Sequence, residues 1–379
     1  MHIIYFITKL ELGGAQKVCL ALHSGLKTKN NVKTSLISGN EGVLVSATKD
    51  DSSVILLSTL KRELSISGIW NEIKTFFDLI KTLKELSKKY AGKTIIHTHS
   101  TKAGILGRWA AFFARIPIRV HTVHGFAFHE HQSYPKWIVI FLCEWITSLI
   151  TTHFVLVSSY DQSIGMKFFP FFKSKNSIIR AAAFISPPQY VHKSKKQFSE
   201  ENPLIIGSVS CFKPQKNIND LITIFSNFVH KNNVHARLEI IGDGELKKNL
   251  QDLAGTLKIS HLVSFVGWQP NISPFLARWD LFALTSLWEG LPCAIIEARL
   301  FKLPVICYNT GGIKDVIETN KNGALITQFD TKSFESFLLK CYNDQSFYEQ
   351  IANNNDDLSN FTVEAMVNQH LELYKKLSE

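Results

Sequence analysis

Paired cysteines and a secretory leader are both missing from this sequence. Its six cysteines are scattered over 379 residues without a CxxC spacing, which argues against a disulfide framework or a structural zinc site. The amino terminus has no signal-peptide pattern, because its short apolar run is soon interrupted by Lys9 and Glu11. These absences predict a cytoplasmic protein with reduced thiols.

An unbroken transmembrane segment is also missing. Residues 137–157, WIVIFLCEWITSLITTHFVLV, have about the length of a membrane span, but Glu144 lies in the middle and threonines follow. The end of the segment has the character of a separate strand. We therefore predict a buried helix followed by a buried strand.

Acidic residues are fewer than basic ones, so the formal net charge is +10 and the isoelectric point is near 9.2. Lysine and arginine lie beside aromatic residues at 112–120 and 166–175. The excess is compatible with a solvated basic surface, or with an anionic membrane surface or phosphate-bearing substrate as partner. No nucleic-acid-binding module is recognisable, and we expect no nucleic-acid partner.

Strand-like and helix-like segments alternate along the chain in two series. The first series ends before a lysine-rich break at residues 186–202, which has the composition of a linker. Such alternation predicts an α/β protein with two doubly wound parallel sheets. Ligands of these sheets bind beyond the carboxyl ends of the strands, and the cleft between two such domains is the expected site.

The segment TSLWEGLPCAIIEA, residues 285–298, contains two carboxylates at the end of a predicted strand. Glu289 follows the strand, and Pro292 suits the first turn of a helix that would contain Glu297. A helix rises about 12 Å over eight residues, so the two acids cannot flank a single bond. They suit an elongated ligand, with a phosphate at the helix amino terminus between them.

Other candidate groups follow neighbouring strands of the same domain. Lys213 and Lys216 in CFKPQKN are placed to neutralise a diphosphate leaving group. Gly242 in IGDG allows the backbone to approach a ribose or base. Trp268 either packs in the core or covers the nucleotide.

The first domain has a glycine loop, LELGGAQK, but no GxGxxG motif, so a dinucleotide site is not indicated. Gly13 and Gly14 can cradle an acceptor or a phosphate. His124, next to Gly125, is the candidate polar group facing the cleft. Further histidines lie near two strand ends without a metal-ligand spacing, at positions 97, 99, 121, 129 and 131.

Together these motifs resemble the retaining GT-B glycosyltransferases of glycosyltransferase family 4, over nearly the whole chain. The most specific element is the E-x7-E pattern of Glu289 and Glu297, followed by PVICYNTGG. The resemblance implies an acceptor-binding domain at 1–185 with a C-terminal helix at 362–379 that crosses back to it. It also implies a donor-binding domain at 200–361, facing the first across a cleft.

The resemblance implies a role for each site residue. Glu289 would contact the donor sugar and Glu297 the ribose. Lys216 and the backbone amides around Gly290, Leu291 and Pro292 would hold the diphosphate. His124 would lie beside the transferred sugar, and Gly14 near phosphate or acceptor. No metal or other cofactor is expected, since the nearest approach to a DxD motif is Asp243-Gly244-Glu245.

Two departures from the family pattern are visible. Cys211 stands five residues before Lys216, where the family usually has an arginine, so Lys213 would have to supply the second positive charge. The usual Asn-Gly turn after the first domain is replaced by IIRAAAFISPP.

The predicted activity is transfer of a sugar, with retention, from a UDP-sugar to a lipid-linked or saccharide acceptor in surface-polysaccharide assembly. The enzyme would be cytoplasmic, with peripheral attachment to the anionic inner face of the membrane as an option. Two alternatives remain open at this point. One is a nucleotide-sugar epimerase of the same fold, and the other is a non-catalytic protein that binds sugar nucleotides.

Overall fold

The computed structural model describes residues 1–61, 69–90, 92–185 and 197–379. The chain divides into two compact units. The first unit is Met1–Ala182 together with Ser359–Glu379, and the second unit is Ala183–Leu358. Residues 186–196 of the predicted linker lie outside the described residues.

The first unit contains a parallel sheet of seven described strands in the order β3-β2-β1-β4-β5-β6-β7. They are β1 (His2–Phe6), β2 (Lys33–Gly39), β3 (Val54–Leu57), β4 (Thr94–His99), β5 (Ile118–Val123), β6 (His153–Leu156) and β7 (Asn176–Ile178). The intervening helices are α1 (Gly14–Lys27), α2 (Ile69–Lys89), α3 (Thr101–Phe113), α4 (Tyr134–Ile150) and α5 (Ser159–Phe168).

The second unit contains a parallel sheet of six described strands in the order β10-β9-β8-β11-β12-β13. They are β8 (Leu204–Val209), β9 (Ala236–Ile241), β10 (Val263–Gly267), β11 (Leu281–Leu284), β12 (Val305–Tyr308) and β13 (Gly323–Ile326). Its helices are α6 (Ile218–Asn232), α7 (Lys247–Thr256), α8 (Ser273–Arg278), α9 (Cys293–Leu300), α10 (Thr331–Asn343) and α11 (Gln345–Ala352).

In both sheets the strand order reverses beside the first strand, so that β1 lies between β2 and β4, and β8 lies between β9 and β11. This is the topology of doubly wound α/β domains. The central strands β1, β4, β8 and β11 are buried almost throughout, as expected for strands covered by helices on both faces. The predicted α/β fold class is confirmed. Two short strands, β7 and β13, escape the sequence patterns, because three or four residues carry no measurable periodicity.

The last helix, α12 (Val363–Ser378), belongs to the first unit and packs on α1. Its Tyr374 hydroxyl hydrogen-bonds the Tyr5 hydroxyl at 3.2 Å and also the Nδ1 atom of His97. Because Tyr374 is fully buried, these bonds hold the C-terminal helix against β1 and β4. The predicted return of the chain to the first domain is confirmed.

Helix α4 corrects the prediction of a buried helix at 137–150. It buries its polar residues Glu144, Thr147 and Ser148, while apolar residues such as Leu142, Ile146 and Leu149 are exposed. The reason is Arg108 of α3, which is fully buried and donates to Glu144 Oε2 at 2.7 Å. A buried guanidinium requires an anionic partner, so the carboxylate side of α4 faces inward. Among the described residues, no helix has the length and apolar character to cross a bilayer.

Candidate functional site

The segment that contains Glu289 is a loop held at the carboxyl edge of the second sheet. It follows β11 and leads into α9, which begins at Cys293 with Pro292 as its N-cap residue. The expectation that Pro292 lies in the first turn is therefore wrong by one residue, since its ψ of 114° is extended. Proline has no side-chain acceptor, so Pro292 itself cannot cap the first N–H groups of α9.

Backbone hydrogen bonds tie this loop to two neighbouring loops. The Leu287 amide donates to the Gln215 carbonyl at 2.8 Å, and the Gln215 side chain donates to the Trp288 carbonyl at 2.7 Å. On the other side, the Gly312 amide donates to the Gly290 carbonyl at 2.7 Å. The Glu289 loop is thus positioned by the loops that follow β8 and β12, through main-chain atoms and the Gln215 side chain.

The glycine at position 311 allows this close approach. Its φ is +55°, and a Cβ atom there would lie 1.9 Å from the Glu289 carbonyl oxygen. An alanine would therefore meet both backbone strain and a clash. Gly311 belongs to the Gly-Gly turn noted in the sequence, but its role in supporting Glu289 was not predicted.

Lys216 and Glu289 form an ion pair, in which Lys216 Nζ donates to Glu289 Oε1. Both side chains are largely buried, with 15% and 8% of their surface exposed. Burial alone would lower the pKa of Lys216, but the adjacent Glu289 carboxylate raises it above its ordinary value. Lys216 is therefore a cation at neutral pH, at the amino-terminal end of α9.

Lys213 lies three residues earlier in the same turn and is half-buried. Its carbonyl accepts a hydrogen bond from the Lys216 amide at 3.0 Å, whereas its ammonium group makes no hydrogen bond or ion pair within the described residues. This group can bind an anion without first giving up a protein partner. Cys211 is also half-buried, and a cysteine cannot supply the positive charge of the arginine expected there.

The carboxylate of Glu297 is buried within the second unit. Its side chain is 3% exposed, and Oε1 accepts a hydrogen bond from the Phe184 amide at 3.3 Å. Glu297 is therefore not a solvated surface residue of α9. A buried carboxylate with this partner holds a fixed position, which a group that recognises a hydroxyl pair needs.

Two further loops complete this edge of the sheet. Gly242 has a φ of +140°, and a Cβ there would lie 1.8 Å from the Ser210 carbonyl oxygen, so the loop after β9 closes on the loop after β8. Trp268 follows β10 and is 40% exposed. Trp268 is therefore not a fully buried core residue.

In the first unit, His124 follows β5 and its Nε2 atom lies 3.0 Å from Nδ1 of His99. Burial, together with nearby His370, lowers the pKa of His124 to about 3, so its ring is neutral at physiological pH. A small pocket beside it is lined in part by Ser100, Thr101, Gly125 and Glu144. Gly13 is the N-cap of α1 and Gly14 its first residue, so both follow β1 at the same sheet edge.

Two histidines of the first unit are held by hydrogen bonds inside the sheet. His97 and His121 lie inside β4 and β5, where His97 Nε2 bonds Thr122 Oγ1 at 2.7 Å and His121 Nδ1 bonds Thr98 Oγ1 at 2.9 Å. In the part of the chain that the structure describes, no three His, Cys, Asp or Glu side chains are grouped to hold a metal ion.

Sequence comparison finds a family match and full-length relatives. Residues 191–357 match the family described as glycosyl transferases group 1. An Escherichia coli protein named UDP-Gal:alpha-D-GlcNAc-diphosphoundecaprenol alpha-1,3-galactosyltransferase is 31% identical, over 88% of this chain and 86% of that protein. A Campylobacter jejuni alpha-1,4-N-acetyl-D-galactosaminyltransferase acting on a PP-undecaprenol-linked glycan is 22% identical, over 93% and 92%.

Among solved structures, Anabaena Alr3699/HepE in complex with UDP and glucose is similar over 99% of this chain and 100% of that chain. Its TM-score is 0.79 and its sequence identity is 19%, so it is evidence for the fold.

Proposed function

Because the chain belongs to the group 1 glycosyl transferases and is a glycosyltransferase of the GT-B fold, we propose that it uses a UDP-sugar as donor. The transferred group is a hexosyl or N-acetylhexosaminyl unit, and the acceptor is a lipid-linked or saccharide molecule of bacterial surface-polysaccharide assembly. Transfer retains the anomeric configuration and requires no metal. The named E. coli and C. jejuni relatives, which act on diphosphoundecaprenol-linked and PP-undecaprenol-linked glycans, support this acceptor class.

The observation that carries the proposal is the Lys216–Glu289 pair at the start of α9. A lysine ammonium has three N–H donors, so Lys216 can keep its bond to Glu289 and also donate to a diphosphate oxygen. The free N–H groups at the start of a helix favour the same anion. Glu289 is thereby held where it can bind hydroxyls of the sugar attached to that diphosphate.

The chemical step follows from this placement. The acceptor hydroxyl oxygen forms a bond to the anomeric carbon on the face from which the diphosphate departs. The bond from the anomeric carbon to the phosphate oxygen breaks, and that oxygen takes the acceptor proton. Lys216, Lys213 and the head of α9 stabilise the charge that develops on the diphosphate, and Glu289 stabilises positive charge on the sugar.

Glu297 would bind the ribose hydroxyls and Trp268 would cover the base. Neutral His124 would hydrogen-bond the transferred sugar without competing with Lys216 for the diphosphate. Gly13 and Gly14 would approach a phosphate or the acceptor. Because two lysines and a helix terminus supply the positive charge, we expect a chelator such as EDTA to leave turnover unchanged.

The test is UDP release and product formation with a panel of UDP-sugars and a diphospho-lipid-linked sugar acceptor. Lys216→Ala should lower kcat by about 100-fold or more, because it removes charge stabilisation of the leaving group. Lys321→Ala is the matched control, since Lys321 also pairs with a glutamate, Glu318, but at an exposed position of the same unit. Equal kcat values for the two variants would refute the proposed site.

The same assay separates the two alternative functions, which the transferase relatives do not support. An epimerase would release UDP and epimerised sugar without any acceptor. A non-catalytic binding protein would bind UDP without consuming donor in any acceptor mixture. NMR of the product identifies its anomeric configuration, and inversion would contradict the retaining mechanism.

A further inference from the structure

Helix α4 is apolar on two sides, which is unusual for a helix on the surface of a globular protein. Its buried residues are Glu144, Thr147 and Ser148. Its outward side is apolar. Leu142 and Ile146 are each 48% exposed, and Val139, Trp145 and Leu149 are also exposed. Trp137, Ile140 and Phe141 pack against the core of the first unit, as the apolar stripe of a surface helix normally does. The outward residues form a second apolar surface, which is exposed.

The apolar surface continues onto the neighbouring helix α3. Trp109 of α3 donates from Nε1 to Thr147 Oγ1 of α4 at 3.0 Å, and its ring contacts Phe112 and Phe113. Both phenylalanines are exposed. We define the apolar face of the first unit as Phe112, Phe113, Val139, Leu142, Trp145, Ile146 and Leu149.

Basic residues flank the helices α3 and α4, and the segment that contains both helices has few acidic residues. Between residues 101 and 182 the chain has nine Lys and Arg but three Asp and Glu. Of these acids, Glu144 and Asp161 are buried, so Glu130 is the acid left at the surface. Arg115, which follows Phe113, and Lys136 on α4 are exposed.

A second basic segment lies at the other end of α4. Lys175 donates to the Ser148 carbonyl at 2.5 Å, which fixes the preceding turn beside the end of the helix. That turn exposes Phe171 and Lys173. The apolar face therefore has exposed cations near both ends of α4.

We propose that this apolar face docks the chain on an anionic lipid bilayer, with α4 lying parallel to the membrane surface. Interfacial helices insert an apolar side that contains Trp, Phe and Leu, while flanking Lys and Arg bind the acidic headgroups. At 17 residues α4 is about 25 Å long and lies in the interface instead of spanning it. This inference adds the docking surface to the proposed use of a lipid-linked acceptor.

The charge of the first unit favours a lipid surface over a second copy of this chain as the occupant. The unit has 25 Lys and Arg against 14 Asp and Glu, a formal charge of +11. Two copies that met through this face would bring like charges together. An anionic bilayer instead attracts the rim cations and covers the apolar side chains in one step.

The experiment is co-sedimentation of the full chain with vesicles of phosphatidylcholine alone or mixed with phosphatidylglycerol, without donor or acceptor. Wild type should bind the anionic vesicles more tightly, with an affinity that falls as salt is added. The double variant Leu142→Glu/Ile146→Glu should weaken this binding by at least about tenfold, because charged groups oppose insertion of the face. Lys136→Gln and Lys173→Gln should each weaken it by about fivefold at low salt.

Phe329→Glu is the matched control, since Phe329 is a well-exposed aromatic residue of the second unit and its replacement should leave vesicle binding unchanged. Unchanged thermal unfolding of the double variant excludes a folding defect. Equal vesicle binding by wild type and the double variant would overturn the proposal. So would concentration-dependent dimers that the double variant abolishes, without vesicle binding by either protein.

The outcome is separable from the proposed function. Absence of vesicle binding by the wild type, with normal turnover of a soluble donor, refutes docking alone. Vesicle binding by a chain that never consumes a UDP-sugar refutes the transferase assignment alone.

Discussion

The two units share one architecture but differ in charge and in the placement of their polar groups. The first unit has a formal charge of +11, whereas the second has 17 Lys and Arg against 18 Asp and Glu, a charge of −1. The basic excess of the whole chain therefore lies entirely in the first unit. The overall isoelectric point hides this division, which fits the anionic bilayer proposed for the first unit.

The histidines are also distributed unequally between the two units. The first unit has ten of the 14 histidines, and several are buried in β4, β5 and α12, including His97, His99, His121 and His370. In the described part of the second unit, the histidines are exposed. The second unit instead holds its polar site together with an ion pair and main-chain bonds.

Lowering the pH should produce the largest difference between the units, in their stability against unfolding. Burial lowers the pKa of His97, His99 and His121, and lowers that of His370 to about 4, whereas an unfolded histidine titrates near 6.5. Between about pH 6.5 and 4 these histidines bind protons in the unfolded chain but remain neutral in the folded unit. The free energy of unfolding should fall as pH falls, by up to about 1.4 kcal/mol per histidine for each pH unit.

Amide hydrogen exchange at pH 7 and pH 5, corrected for intrinsic rates, measures this effect in each unit. Protection of β4 and β5 should fall at pH 5, while β8 and β11 keep theirs as an internal control. Equal loss in both sheets would contradict a histidine origin.

The two acids of the second unit should give the next largest effect. Glu289→Gln removes the charge that pairs with Lys216 and should lower kcat by about 100-fold with little change in UDP affinity. Glu297→Gln keeps an oxygen for the Phe184 amide, so it should mainly weaken UDP binding, by about tenfold. Calorimetry with UDP and steady-state kinetics test this split. If both variants alter the same parameter, the acids do not contact separate parts of one ligand.

Gly311→Ala should have a smaller effect, through the backbone. A Cβ would clash with the Glu289 carbonyl and strain a residue at φ +55°, so we expect a loss of about 2 kcal/mol in stability and reduced kcat. Gly267→Ala is the matched control, because Gly267 also has positive φ, +79°, but nothing lies within 4 Å of its added Cβ. The free energies of unfolding of the two variants, measured in denaturant, separate the cost of the clash from the cost of the positive φ. Similar losses in both would show that the contact with the Glu289 loop is unimportant.

Tyr374→Phe should have the smallest effect, about 1 kcal/mol, by removing the hydroxyl that bonds Tyr5 and His97. Thermal unfolding measures this loss. Turnover at a temperature well below unfolding should be unchanged, since the hydroxyl acts only in holding α12 to the sheet. A large loss of turnover there would assign α12 a part in the reaction.

Much of the fold followed from local patterns. Apolar strand segments followed by helical periodicity predicted the α/β class and most elements, because each pattern repeats over enough residues to be recognised. The short strands β7 and β13 lack that length. In the site, the acids and lysines were recognisable by type and spacing, whereas Gln215 carried no signal, since its contribution is a hydrogen bond to a carbonyl 73 residues away.

By itself the sequence determined that the chain forms two doubly wound sheets and that Lys216, Glu289 and Glu297 follow strand ends in one of them. Only the tertiary structure decided that Lys216 pairs with Glu289 and that Gly311 supports the loop that contains Glu289. It also decided the orientation of α4. That helix is apolar around most of its circumference, so its pattern could not specify a buried side, and the buried Arg108 on α3 turned Glu144 inward and left the apolar side exposed.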